Sequence, residues 1–108
     1  MISFAHPSER ALAELLDFYG IAWEYEPRTF VLDSDGDGRP MSAFTPDFYL
    51  PGFDVYVELT MLRQPLVTRK HRKIRRLAEM YPEIRVKILY RRDVQRLARK
   101  YGLTAAAA

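Results

Sequence analysis

The sequence predicts an α/β domain in the element order α-β-β-β-α-β-α, with a central mixed four-stranded sheet flanked by helices. Three observations predict it. Apolar residues recur at helical spacing in three stretches bounded by proline or glycine. Four further stretches are rich in aromatic and β-branched residues and are separated by turn signals. The last of these follows a helix, and a helical crossover ordinarily sets the next strand parallel to one already in the sheet.

Residues 8–19 read as the first helix. Pro7 or Ser8 marks its start, Gly20 supplies the stop, and Ala11, Leu12, Leu15, Leu16 and Tyr19 form one apolar face. Residues 23–32 read as a strand bent at Pro27, followed by Asp33-Ser34-Asp35-Gly36-Asp37-Gly38 as a hairpin turn. That turn matches the first half of a calcium-binding EF-hand loop. The twelfth position, which needs a bidentate Glu, is however Phe44, and the flanks read as strands. Residues 42–50 and 54–60 read as the second and third strands of a meander, joined by a turn containing Pro51 and Gly52. Residues 67–81 form the second helix, ended by Pro82; residues 84–90 alternate as the fourth strand; residues 93–101 form the third helix, with Gly102 as its stop. A single domain spans residues 1–104, and residues 105–108 are a low-complexity alanine tail.

A chain of 108 residues suffices for one domain, and an apolar fraction of 48% permits an ordinary core. There is no cysteine, which excludes disulfides, thiolate zinc sites and cysteine nucleophiles and fits a cytoplasmic protein. No apolar run approaches the roughly 20 residues of a membrane span, and the N-terminus lacks the pattern of a secretory signal, so no membrane partner is expected. The net charge of +3 conceals an asymmetry: residues 1–60 carry 3 basic and 11 acidic side chains (−8), residues 61–108 carry 14 and 3 (+11). Within residues 69–76, six of eight are basic: Arg69, Lys70, Arg72, Lys73, Arg75 and Arg76. Such a helix is either a nucleic-acid-binding face or a solvated face salt-bridged to the acidic half.

The chemistry-bearing residues lie in the second and third strands. Period 2 puts Asp54, Tyr56, Glu58 and Thr60 on one face of residues 54–60, and Val55, Val57 and Leu59 on the other, which should face the deeper core. Asp47 shares a face with Thr45 and Tyr49. A hairpin that aligns these faces brings Asp47 and Glu58 together, and paired oxygen ligands suit a hard divalent cation such as Mg²⁺ or Mn²⁺. The alternative is two separate surface acids. Glu9 lies at the edge of the first helix's apolar stripe, where it either leans toward the sheet or complements the helix dipole. On the second helix Val67, His71, Ile74, Leu77, Ala78 and Tyr81 form the apolar stripe. Arg69, Arg72 and Arg76 oppose it, with Lys73 and Arg75 on its flanks. Lys70 falls within the stripe, so it must snorkel or find a partner. His71 reads as a satisfied core residue.

These residues resemble the PD-(D/E)XK, or restriction-endonuclease-like, nuclease superfamily. The α-β-β-β-α-β order over residues 8–90 is similar to its core. Pro46-Asp47 looks like its PD, Glu58-Leu59-Thr60 sits where its (D/E)XK belongs, and Ser8-Glu9 resembles the acid many members carry on the first helix. Tyr25-Glu26-Pro27 also looks like the small single-domain members, with Glu26 structural or substrate-facing. The resemblance implies metal-dependent phosphodiester hydrolysis, with Asp47, Glu58 and Glu9 holding Mg²⁺ or Mn²⁺ and nucleic acid, in the first instance DNA, as partner. A homodimer would be needed to cut both strands at once. Thr60 departs from the motif lysine. Threonine supplies no charge and can only position a water, so either another cation, Lys70 first and Lys73 second, has replaced it, or the domain is a binding or interaction module that no longer cleaves.

Overall fold

The computed structural model describes residues 2–60 and 64–100. Its elements are α1 (Pro7–Phe18), β1 (Glu24–Tyr25), β2 (Phe30–Ser34), β3 (Pro40–Phe44), β4 (Phe48–Leu50), β5 (Val55–Thr60), α2 (Gln64–Met80), β6 (Val86–Tyr90) and α3 (Arg91–Lys100). The main sheet is four-stranded and mixed, in the order β1-β4-β5-β6. Its β1–β4 and β4–β5 pairs are antiparallel, and β6, reached through α2, runs parallel to β5. The expected Tyr101–Gly102 terminus of α3 and the alanine tail lie outside the described residues.

Two expected strands are each broken, and proline accounts for both breaks. After β1 the chain enters the left-handed region at Glu26 (φ 46) and continues into Pro27, whose ring fixes φ and removes a donor. The stretch expected as the second strand is interrupted at Thr45-Pro46-Asp47. Between the breaks, β2 and β3 form a separate antiparallel hairpin outside the main sheet. Its turn is the Asp-Gly run: Asp35 Oδ1 accepts from the Asp37 and Arg39 N–H groups, and Gly38 supplies a φ of 81. β5 starts at Val55; Asp54, expected on its polar face, lies in the preceding turn with φ 50 and accepts from Tyr49 OH at 2.8 Å.

Both faces of the sheet are covered. On one side Leu12, Leu15 and Leu16 of α1 and Val94 of α3 pack on Phe48, Leu50, Val57 and Leu59. On the other, Leu77 of α2 and Phe30, Leu32 and Phe44 of the hairpin enclose Tyr56. Each such side chain contributes ~1.5–3 kcal/mol by leaving water. The side of β5 that carries Tyr56, Glu58 and Thr60 is therefore as buried as its apolar side, which was expected alone to face the deeper core. Two stripe positions also differ. Tyr19 lies beyond the end of α1 and is exposed, and Ala78 is exposed on α2. α2 begins before Val67, at Gln64, because Pro65 is tolerated in a first turn whose N–H groups have no intrahelical partner. No described helix is long and apolar enough to cross a membrane.

Candidate active site

The site is built where β4 stops short of β5. The antiparallel register ends at Phe48 opposite Val57. Continued, it would set Asp47 against Glu58 and Pro46 against Leu59. Proline has no N–H, so the Leu59 carbonyl has no ladder donor available opposite it. Side chains finish what the ladder cannot. The Leu59 N–H donates to Asp47 Oδ2 at 2.8 Å, and the Asp47 N–H donates to Glu58 Oε1 at 3.1 Å. The Asp47 carbonyl accepts from the Glu26 N–H at 2.8 Å, which gives the left-handed Glu26 a structural role through its backbone. Asp47 is thus clamped from three directions, with Pro46 fully buried beside it.

Lys70 reaches the same spot from α2. Its Nζ lies 2.6 Å from Glu58 Oε2 and donates to the Leu59 carbonyl at 2.8 Å. The pair is largely dry, with side chains 15% exposed for Lys70 and 6% for Glu58. The lysine inside the apolar stripe has found a partner, and it is Glu58. Thr60, two residues beyond Glu58 on the same face of β5, is buried, and its Oγ1 has no hydrogen-bond partner among the described residues. A buried hydroxyl without a partner is costly and points to a bound water or ligand atom.

The electrostatics follow from this crowding. Burial, then the charge of Glu58, push the Asp47 carboxyl up to about 7, against the pull of the Leu59 N–H; Glu9 adds to the rise and Lys70 opposes it. Glu58 is also raised, chiefly by burial, while the Lys70 ammonium and hydrogen bonds from Asp47 hold it down. Two close carboxyls that resist joint ionisation form a site that favours a cation or a shared proton.

Glu9 is the third acid, and it is buried at the start of α1. Its Oε1 accepts from Tyr25 OH at 2.6 Å and from the Ala5 N–H at 3.0 Å. The Tyr25 hydroxyl is pushed up to about 12, by burial first and then by this bond to Glu9. Sequence reasoning did not single out Tyr25 as a site residue. The signal for it was the Tyr25-Glu26-Pro27 run, whose pairing of β1 with β4 sets Tyr25 opposite Phe48, next to Asp47. An aromatic box holds it there: the rings of Trp23 and Tyr25 both lie 5.5 Å from Phe48, and Phe4 lies 4.9 Å from Tyr25.

The basic helix divides into two sets. Lys73, expected on a flank, is half-buried and donates to the Ala43 carbonyl of the hairpin at 3.0 Å. Arg76 pairs with Asp33 and Glu79 at 3.2 Å each. The contacts with Ala43 and Asp33 tie α2 to the hairpin. Arg69, Arg72 and Arg75 are exposed, and Arg72 lines a groove of about 220 Å³ together with Lys73, Arg76 and Ser42. His71 faces Tyr90 OH at 3.4 Å and His6 caps α1 by accepting from the Ser8 N–H, so neither approaches the acids as a ligand.

The oxygens gathered at the site are those of Asp47, Glu58 Oε2 and the Leu59 carbonyl, all hard donors. Among the described residues no group of three or more Asp, Glu, His or Cys is assembled to hold an ion. This donor set suits Mg²⁺, which keeps several waters and is commonly bound through one or two carboxylates. The Lys70 ammonium, already seated on two of these oxygens, shows that the place accepts a positive charge. The chain matches no protein-family model, none of the characterised proteins compared with it and no solved structure.

Proposed function

We propose that this chain is a small metal-dependent nuclease of the PD-(D/E)XK type that hydrolyses phosphodiesters in DNA. The observation that carries the reading is the contact of Lys70 with Glu58 at 2.6 Å, beside Asp47, which returns an ammonium to a motif whose own lysine position is Thr60. Asp47, Glu58 and the Leu59 carbonyl are the residues that would hold Mg²⁺. When bound, the metal supplies polarisation of the phosphoryl oxygen and a lower pKa for the attacking water.

The chain's own residues do the rest. Lys70 sets a positive charge against the charge developing on the phosphate, and Thr60 Oγ1 holds a water on the same face. Glu9, fixed by Tyr25, raises the negative potential around Asp47 and so favours a cation there. Arg69, Arg72 and Arg75 contact phosphates, which positions DNA without reading its sequence. The described residues form one such site, so cutting both strands at once takes two copies.

The test is incubation of single-stranded, duplex and branched DNA with Mg²⁺ or Mn²⁺, beside an Asp47→Ala, Glu58→Ala control. Metal-dependent nicking that disappears in the control supports the nuclease. Salt-sensitive DNA retention without nicking assigns the chain instead to a binding module of the same fold.

A further inference from the structure

The seat that Lys70 occupies has the character of a cation site in its own right. Two features make it, and they arise from different parts of the chain. Continued past Phe48, the register of β4 on β5 would bring Pro46 against Leu59, and proline has no N–H to donate to the Leu59 carbonyl. Glu58, on the adjacent residue of β5, is clamped through Oε1 by the Asp47 N–H, so Oε2 is the oxygen that it turns toward Lys70. The ammonium touches both the orphaned carbonyl and Oε2, at 2.8 and 2.6 Å. Charge-assisted contacts this short in a largely dry place are strong, and a buried carboxylate left without a counter-ion is heavily penalised. A divalent cation coordinated by Glu58 and Leu59 needs the same two oxygens. An ammonium and a metal ion crowded onto the same two oxygens would repel each other strongly.

We propose that Lys70 is a built-in counter-ion that fills the cation seat and is exchanged by an incoming divalent metal, so that metal entry and release of the lysine ammonium are one event. The inference rests on the metal-site reading above and adds its regulation. Metal-free, the site is neutralised and held together by Lys70. With metal, the ammonium is displaced from Glu58 Oε2 and the Leu59 carbonyl and becomes available to a phosphate. The flexible four-carbon stem of lysine, rooted on α2 rather than on β5, allows that withdrawal without disturbing the sheet.

The direct test is nuclear magnetic resonance of the lysine side-chain NH₃⁺ groups of the full chain, titrated with Mg²⁺. A buried, hydrogen-bonded ammonium exchanges its protons slowly and gives a distinct signal, assigned to Lys70 by its loss in Lys70→Arg. The proposal expects this signal to leave its buried position as Mg²⁺ saturates the protein. Thermal unfolding of Lys70→Met with and without Mn²⁺ gives an independent readout. Without its ammonium the seat needs the metal, so Mn²⁺ at about a hundredfold excess over the variant's Kd should raise the variant's Tm by on the order of 10–20 °C, and the wild type's by much less at the same concentration. A Lys70 signal that stays buried at saturating Mg²⁺, or equal Tm shifts in variant and wild type, overturns the exchange and leaves the metal site standing. Absence of Mg²⁺ or Mn²⁺ binding in both proteins overturns the exchange and the metal-site reading together. If Lys70→Met does not fold, the wild-type titration decides alone.

Discussion

Lys70→Met should destabilise the metal-free protein by about 3 kcal/mol, and Glu58→Gln should restore most of that loss. The pair is nearly dry, with Glu58 6% exposed, so removing the ammonium strands a carboxylate whose remaining hydrogen bonds come from Asp47. Breaking one half of a buried ion pair costs about 3–5 kcal/mol. The lower end applies because Glu58 keeps the Asp47 N–H and can take up a proton. In the double variant neither charge is stranded, so its stability should lie within about 1–2 kcal/mol of wild type; with about 1 kcal/mol lost in Glu58→Gln alone, where the flexible Lys70 can turn to water, the coupling energy is about 2–3 kcal/mol. The assay is urea unfolding in EDTA at pH 7.5, followed by fluorescence of Trp23, the chain's single tryptophan, which packs 5.5 Å from Phe48. Lys70→Met should also recover toward acid pH. Without the ammonium the folded-state pKa of Glu58 rises further above its unfolded value, so the penalty applies at high pH and fades once Glu58 is protonated. Single-variant losses that add to within about 0.5 kcal/mol would refute the buried coupling. So would a coupling that vanishes in about 1 M salt, where only exposed pairs are screened.

Three further outcomes are expected. Asp47 is raised from 3.8 to about 7, so the folded state binds its proton more tightly than the unfolded state does; this group's stabilising contribution is full below pH 4 and is lost as pH rises through 7. Paired urea titrations at pH 5 and 8 should accordingly show wild type losing more stability over that interval than Asp47→Asn, and parallel pH profiles would contradict the assignment. Tyr25→Phe removes the 2.6 Å donor to Glu9, and loss of a hydrogen bond to a charged group should cost about 1.5–3 kcal/mol in Tm or urea measurements; the wild-type phenol should titrate near pH 12 by its ultraviolet absorbance. Replacing Arg69, Arg72 and Arg75 by Gln should lower the slope of log K against log salt for duplex DNA by up to about 2.7, whereas Arg76→Gln, whose guanidinium is paired with Asp33 and Glu79, should change it less.

Much of this arrangement is legible in the chain before it folds. The three helices, the turn at Asp33–Gly38 and the parallel fourth strand follow from apolar period and punctuation. The inward Lys70 follows from a helical wheel, because a lysine within an apolar stripe has to meet an acid or reach water. The breaks at Pro27 and Pro46 were harder to foresee. A proline in a β-rich run signals a bend or a strand end with equal force, and only the packing of Phe30, Leu32 and Phe44 on α2 draws that hairpin out of the main sheet. The burial of Thr60 and Glu58 was likewise hidden. Strand alternation distinguishes faces but does not reveal that a second layer covers the polar one. Tyr25 escaped notice as a site residue for a related reason. Its link to Glu9 spans 16 residues and depends on the short β1 strand lying beside β4.

Anomalous diffraction from crystals of the full chain soaked in Mn²⁺ would reveal where the metal sits and what Lys70 does when it is bound. One strong peak is expected, held by Asp47, Glu58 and the Leu59 carbonyl, with the Lys70 ammonium withdrawn from Glu58. A peak elsewhere in the molecule, or Lys70 still seated on Glu58 at full Mn²⁺ occupancy, would contradict that expectation.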